Sequence, residues 1–129
     1  VTFLPQRPSF EFAVRVCCLT AALAITINMF WLGAKPVAVN LIPAPWDKLA
    51  HFAVFSTLTV LVWIGTGGRM PVTAIVAVVA LGALDELHQG TLPGRSADIM
   101  DFLTDLLAGT LTGSVLYMHA RMLRNGEDA

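Results

Sequence analysis

The uncharged run that opens at Pro71 stops too soon. It has 14 residues before Asp85, about 21 Å of helix at about 1.5 Å per residue, whereas the bilayer hydrocarbon is about 30 Å thick. A spanning helix there has to continue through Asp85, Glu86, His88 and Gln89, which then sit in the outer turns of a membrane rather than beyond it. The run Leu106 to Met118, of 13 residues, has the same defect. Its helix has to begin near Asp98, which embeds Asp105 about 10 Å along the axis from Asp98. Each Asp, Lys or Arg at the centre of a membrane helix costs about 2.5–3.5 kcal/mol. A fold that accepts such groups has to gather them away from lipid.

The rest of the composition fits a membrane chain. Of 129 residues, 56% are hydrophobic and 13% charged, against about 25% charged in soluble domains. We therefore expect one integral membrane domain over residues 1–129, all-α, a four-helix transmembrane bundle with helices at about 12–34, 47–65, 71–89 and 98–121. Val16 to Ala34 is 19 residues without a charge, long enough to span and too long for a signal-peptide core, so it reads as a retained helix. Phe30 and Trp31 near its end suit the interfacial aromatic belt. Pro36, Pro43 and Pro45 make Lys35 to Trp46 a connector. Asp47 is placed to cap the second helix with its side-chain oxygen. The glycines at 65, 67 and 68 and Pro71 form the next turn, and Gly90 to Gly94 the last. Cys17 and Cys18, adjacent on a helix, point to different faces and read as free, buried thiols. With a net charge of −1 nothing suggests nucleic acid, and no nucleic-acid partner is expected; no repeat of 20–50 residues is visible.

Four spans put both termini on one side. Arg7, Arg15, Arg69, Arg121 and Arg124 lie there, against Lys35, Lys48 and Arg95 on the other, so the positive-inside rule places the termini in the cytoplasm, with His119 marking that interface. The same topology brings the start of helix 2, the end of helix 3 and the start of helix 4 to one face. It collects Asp47, Lys48, His51, Asp85, Glu86, His88, Gln89, Arg95, Asp98, Asp101 and Asp105 into one polar pocket. Spacing agrees: Asp47 and His51 are i, i+4; Asp85, His88 and Gln89 are i, i+3, i+4; Asp98, Asp101 and Asp105 are i, i+3, i+7. Six carboxylates face two fixed cations and two histidines. Either some carboxyls stay protonated or a divalent cation sits among them, although no single run has a diagnostic metal spacing and the cofactor is otherwise unknown. In helix 4, Gly109 and Gly113 form G-x-x-x-G, a surface for close helix packing, within the monomer before a dimer or partner.

The chain resembles the VanZ-like membrane proteins from about Trp46 to Gly113. The resemblance rests on D-K-x-x-H-F at Asp47–Phe52, E-x-x-Q at Glu86–Gln89 and P-G-R-S-x-D-x-x-D at Pro93–Asp101, in that order. It departs at Asp105, where the family usually has asparagine, and at Thr91, where it often has an aromatic. The resemblance implies a bacterial inner-membrane protein associated with the cell envelope and with glycopeptide resistance, teicoplanin in particular. It also implies a shared polar site at Asp47, Lys48, His51, Glu86, Gln89, Arg95, Asp98 and Asp101, with no assigned reaction.

Four readings of the cluster follow. It is a structural network that fixes the helix arrangement. Or it binds an envelope lipid or glycolipid head group, with Arg95 and Lys48 meeting phosphate near helix N-termini; Glu86, Asp98 and Asp101 would hold a metal or the basic groups, and Asp47 with His51 would orient helix 2. Or it is a metal-assisted hydrolase or transferase acting on an envelope lipid, with His51 or His88 as general base; no nucleophile motif supports this, Ser96 alone being weak. The competing class is an accessory subunit of a larger membrane complex, docked through helix 1. Of these, head-group recognition is the leading expectation, and membrane lipids are the expected surroundings in every case.

Overall fold

The computed structural model describes residues 10–68 and 70–127, so the expected N-terminal tail, Arg7 and Arg69 fall outside it. Within the described residues the chain is all-helical: α1 Phe10–Gly33, α2 Trp46–Gly65, α3 Pro71–Gln89 and α4 Ile99–Glu127, with one 3₁₀ turn at Pro36–Ala38. All four helices are long and apolar enough to cross a membrane, and the protein is a multi-pass membrane protein by that measure. α4 runs six residues past the expected end: Arg121 to Arg124 contains no breaker, and the helix continues through the Asn125-Gly126 pair that ordinarily marks a turn.

Successive helices alternate in direction. The start of α4 meets the end of α3 where the Asp98 N–H donates to Glu86 Oε2 at 2.6 Å, and further along α4 Gly113 lies against Ile75 at the start of α3. The core is small: Ala22, Phe55, Leu58, Val78 and Ala108 are buried together. Large apolar side chains such as Leu23, Ile27, Leu49, Val76, Leu107 and Val115 remain exposed around the bundle, the distribution expected when lipid is the solvent. α1 is the least enclosed helix, with Ala22 its one buried residue. Cys17 and Cys18 are free, as expected. Cys17 is exposed and Cys18 half-buried, which corrects the expectation that both are buried. Helix α1 has too few neighbours to cover either face.

Close approach is arranged by small residues. Thr59 of α2 is fully buried and satisfies its hydroxyl on the Phe55 carbonyl at 2.8 Å. A Cβ on Gly109 would lie 3.6 Å from Val79 and 3.8 Å from Thr59 Oγ1; one on Gly113 would lie 2.4 Å from Ile75 Cγ1. The Gly109/Gly113 face is thus packed inside the monomer. Gly82 of α3 does the same beside the polar cluster: its Cβ would lie 3.0 Å from Asp105 Cβ and Oδ2 and 3.3 Å from Phe55. Gly94 has φ +77° and is the third residue of a turn closed by the Arg95 N–H on the Leu92 carbonyl at 3.2 Å. With Pro93 before it, this is the pattern a turn with left-handed third residue requires.

These distances set an expected contrast. Gly82→Ala should lower unfolding stability by about 1–3 kcal/mol, the usual cost of overpacking, whereas Gly109→Ala, whose Cβ meets ordinary contacts, should change it by no more than about 1 kcal/mol. Thermal unfolding of the two variants in one detergent measures both.

Candidate functional site

The N-terminal ends of α2 and α4 and the C-terminal end of α3 come together, and one ammonium group holds them. Lys48, one turn into α2, donates to Asp98 Oδ2 at 2.7 Å, to Asp47 Oδ2 at 3.1 Å and to Asp101 Oδ1. All three of its donors have carboxylate partners. Asp98 is also the cap of α4: its Oδ1 accepts the Met100 N–H at 2.8 Å, and its carbonyl accepts from Asp101 and Phe102. The Lys48 ammonium, followed by the Met100 N–H, holds the Asp98 carboxyl below its ordinary range. That contribution to stability is therefore present at neutral pH and lost as pH falls through the lowered value.

Deeper in the bundle the stripe on α4 becomes dry. Asp98 is partly exposed, Asp101 is buried and Asp105 is fully buried, as the i, i+3, i+7 spacing carries the three carboxylates down the helix axis. His51 Nδ1 lies 3.0 Å from Asp105 Oδ1, its Nε2 lies 3.8 Å from Asp101 Oδ2, and its ring stacks on Phe55. Asp85 accepts from Gln89 Nε2 at 2.8 Å, and Gln89 Oε1 in turn accepts from Arg95 Nη2 at 3.0 Å. Arg95 Nη1 donates to the Gly33 carbonyl at 3.1 Å. Arg95 is thus held by neutral acceptors and makes no ion pair among the described residues.

Three expected roles change. Asp47 is not the cap of α2: the helix begins one residue earlier, at Trp46 after Pro45, and the Asp47 carboxylate takes the N–H of Lys48 at 2.8 Å. It does not bond to His51, whose partner comes from α4. Lys48 is unavailable as a phosphate donor, because its three protons are already shared among carboxylates. His88 stands apart from the hydrogen-bonded cluster, with its ring 5.1 Å from that of Phe30 and a buried Nδ1 that has no hydrogen-bond partner.

The structure also adds a wall that the sequence reading left out. A cleft of about 780 Å³ is lined on one side by Asp47, His51, Asp85, Gln89, Arg95 and Asp101, and on the other by the second half of α1 and the connector through Ile42. Gly33, which accepts from Arg95, and Gly82, which makes room for Asp105, are the positions sequence reasoning missed. Both are glycines in apolar runs, and only Asn28, a lone amide in α1 that lines the cleft, marked that face.

Removing Lys48 leaves three carboxylates facing one another without a cation. Lys48→Met should destabilise the protein towards the lower end of the about 3–5 kcal/mol seen when one partner of a buried pair is lost, while Arg95→Met, which loses bonds to neutral groups, should cost about 1–3 kcal/mol. Thermal unfolding at pH 7 ranks them, and the reverse order would contradict the assignment of Lys48 as the central cation.

A family model, VanZ/LLP1, matches residues 4–123, extending well beyond the part of the chain that carries the recognisable motifs. No curated protein and no solved structure matches the chain. With the match covering nearly the whole sequence, and the motif residues meeting at one end of the bundle, this chain belongs to the VanZ/LLP1 family.

Proposed function

We propose that the cleft binds one anionic amphipathic lipid of the bacterial cell envelope, a phospholipid or glycolipid whose phosphate meets Arg95. The observation that carries this is the pairing of Arg95, a cation with no anionic partner among the described residues, with an apolar slot that continues from it. Arg95 marks the mouth, at the Gly33 end of α1. The slot runs back along α1 past Met29 and Ile25 to Ala24, with Val54 opposite. Gly33 to Ala24 is about 13 Å of helix, enough for part of an acyl chain. The volume falls within the about 300–1,000 Å³ of ordinary ligand cavities. A guanidinium matches phosphate with a bidentate fork, and Gln89 and Gly33 hold it in place.

Lys48 leaves the ligand set under this reading and keeps a structural task, holding Asp47, Asp98 and Asp101 together and offsetting part of their charge. The charge count around the spans supports a reading with the termini in the cytoplasm, under which the mouth of the cleft would open in the outer leaflet of the inner membrane, where envelope lipids present their head groups. The accessory-subunit reading has its own support in α1, whose apolar surface is largely uncovered. The hydrolase reading gains no nucleophile: Ser96 lines the cleft but makes no hydrogen bond to a histidine among the described residues.

Native mass spectrometry of protein extracted in mild detergent tests the proposal. The wild type should carry about one anionic lipid per chain, and Arg95→Gln should lose it or bind it at least about tenfold more weakly, the fold-change that corresponds to about 1.4 kcal/mol. Arg15→Gln, at the opposite end of the bundle, should retain it. Equal lipid on wild type and Arg95→Gln sinks the idea, and a stoichiometric larger protein complex with no bound lipid favours the accessory subunit. Sidedness is tested separately: Asn40→Cys in a chain lacking Cys17 and Cys18 should react with an impermeant maleimide added to spheroplasts with intact inner membranes.

A further inference from the structure

The carboxylates that Lys48 does not reach remain to be explained. Glu86 and Asp105 are 7% and 0% exposed, and each has one oxygen anchored and one left over. Glu86 Oε2 is fixed by the Asp98 N–H at 2.6 Å and Asp105 Oδ1 by His51 Nδ1 at 3.0 Å. Glu86 Oε1 and Asp105 Oδ2 are buried and have no hydrogen-bond partner. A buried carboxylate oxygen without a donor is costly, and here two such oxygens belong to residues that each bring a ligand atom within 4.8 Å of the other's. Neither fixed cation supplies it, since Lys48 is engaged by Asp47, Asp98 and Asp101, and Arg95 by Gln89 and Gly33.

We propose that His51, Glu86 and Asp105 hold a single divalent first-row transition-metal ion, of the zinc class, between α2, α3 and α4. One ligand atom from each residue lies within 4.8 Å of the others. Two ligands about 2.1 Å from one ion can be at most about 4.2 Å apart, so closure needs shifts of only about half an ångström. An imidazole with two carboxylates is a donor set for zinc, manganese or iron rather than for magnesium alone. Three protein ligands leave a position open, as in sites where a metal meets a further group. His51 also lines the cleft, so the ion is reached from there. Gly82, one turn before Glu86, leaves the space that Asp105 Oδ2 occupies. The metal assignment does not rest on the lipid reading, and its test needs no lipid.

The experiment is metal analysis and titration of the full-length protein in detergent. Protein purified without chelator is assayed for metal by mass spectrometry; chelator-treated protein is then titrated with Zn²⁺, Mn²⁺, Fe²⁺ and Mg²⁺ while the thermal midpoint is followed. The expected result is about one equivalent of a transition metal per chain and a midpoint raised by Zn²⁺ more than by Mg²⁺. Glu86→Gln and His51→Ala should each weaken Zn²⁺ binding at least about tenfold, while Glu11→Gln, at the far end of the bundle, should bind as wild type does. Uptake of none of the four ions by folded wild type overturns the proposal and leaves shared protons as the way Glu86 and Asp105 are neutralised. Mg²⁺ bound as tightly as Zn²⁺, or binding unaffected in both site variants, overturns it as well. Should a variant fail to fold, the wild-type titration decides alone.

Discussion

Everything at the site end of this bundle depends on the Lys48 ammonium. Three carboxylates, one on its own helix and two at the start of α4, converge on it. Without a cation there, their repulsion in a region of low dielectric would drive the N-terminus of α4 away from α2. With it, α4 can start against α2, and its first turn can present the Asp98 N–H to Glu86 on α3. Three helices are thereby fixed at one end by charge and hydrogen bonds. At the other end Gly113, with Thr59 and Ile75, fixes them by shape. Membrane helices have little hydrophobic drive to associate, so polar contacts and close packing have to share that work.

The two fixed cations of the cluster have been given different tasks. Lys48 is a compact charge with three donors, suited to three separate carboxylates. Arg95 is planar, and its neutral partners hold its orientation without cancelling its charge. The result is a cleft in which the single charge of Lys48 offsets part of that of Asp47, Asp98 and Asp101, while Arg95 sits at its mouth among neutral acceptors. The acids deepest in the bundle, Glu86 and Asp105, are held by hydrogen bonds that leave one oxygen of each free, and they form a separate problem with a separate solution.

The helices and their content were legible in the sequence through length alone. A run of 14 uncharged residues cannot cross the bilayer, and that arithmetic placed Asp85 to Gln89 on α3 and Asp105 on α4. The stripe Asp98, Asp101, Asp105 followed from helical periodicity, and the Pro93–Gly94 turn from the conformations those residues allow. Less was legible about partners. Asp47 and His51 share a helix face, yet each bonds elsewhere, to Lys48 and to Asp105. His88 shares the face of Asp85 and turns instead to Phe30. Spacing along one helix says which side chains can be neighbours on that helix; it says nothing of which neighbour on another helix offers a better bond.

What the sequence by itself determined is that this is a membrane chain of four helices whose embedded ionisable groups are forced to one end and inwards, because hydrocarbon does not solvate them and the uncharged runs are too short to keep them out. Which acid meets Lys48, that Arg95 is held by neutral acceptors, that α1 closes a cleft over the cluster, and that Glu86 and Asp105 each keep a bare oxygen were decided only by tertiary structure. Those outcomes turn on contacts between helices distant in the chain, at separations of a few ångströms, and small residues such as Gly82 and Gly113 set those separations while carrying no chemistry that a sequence displays.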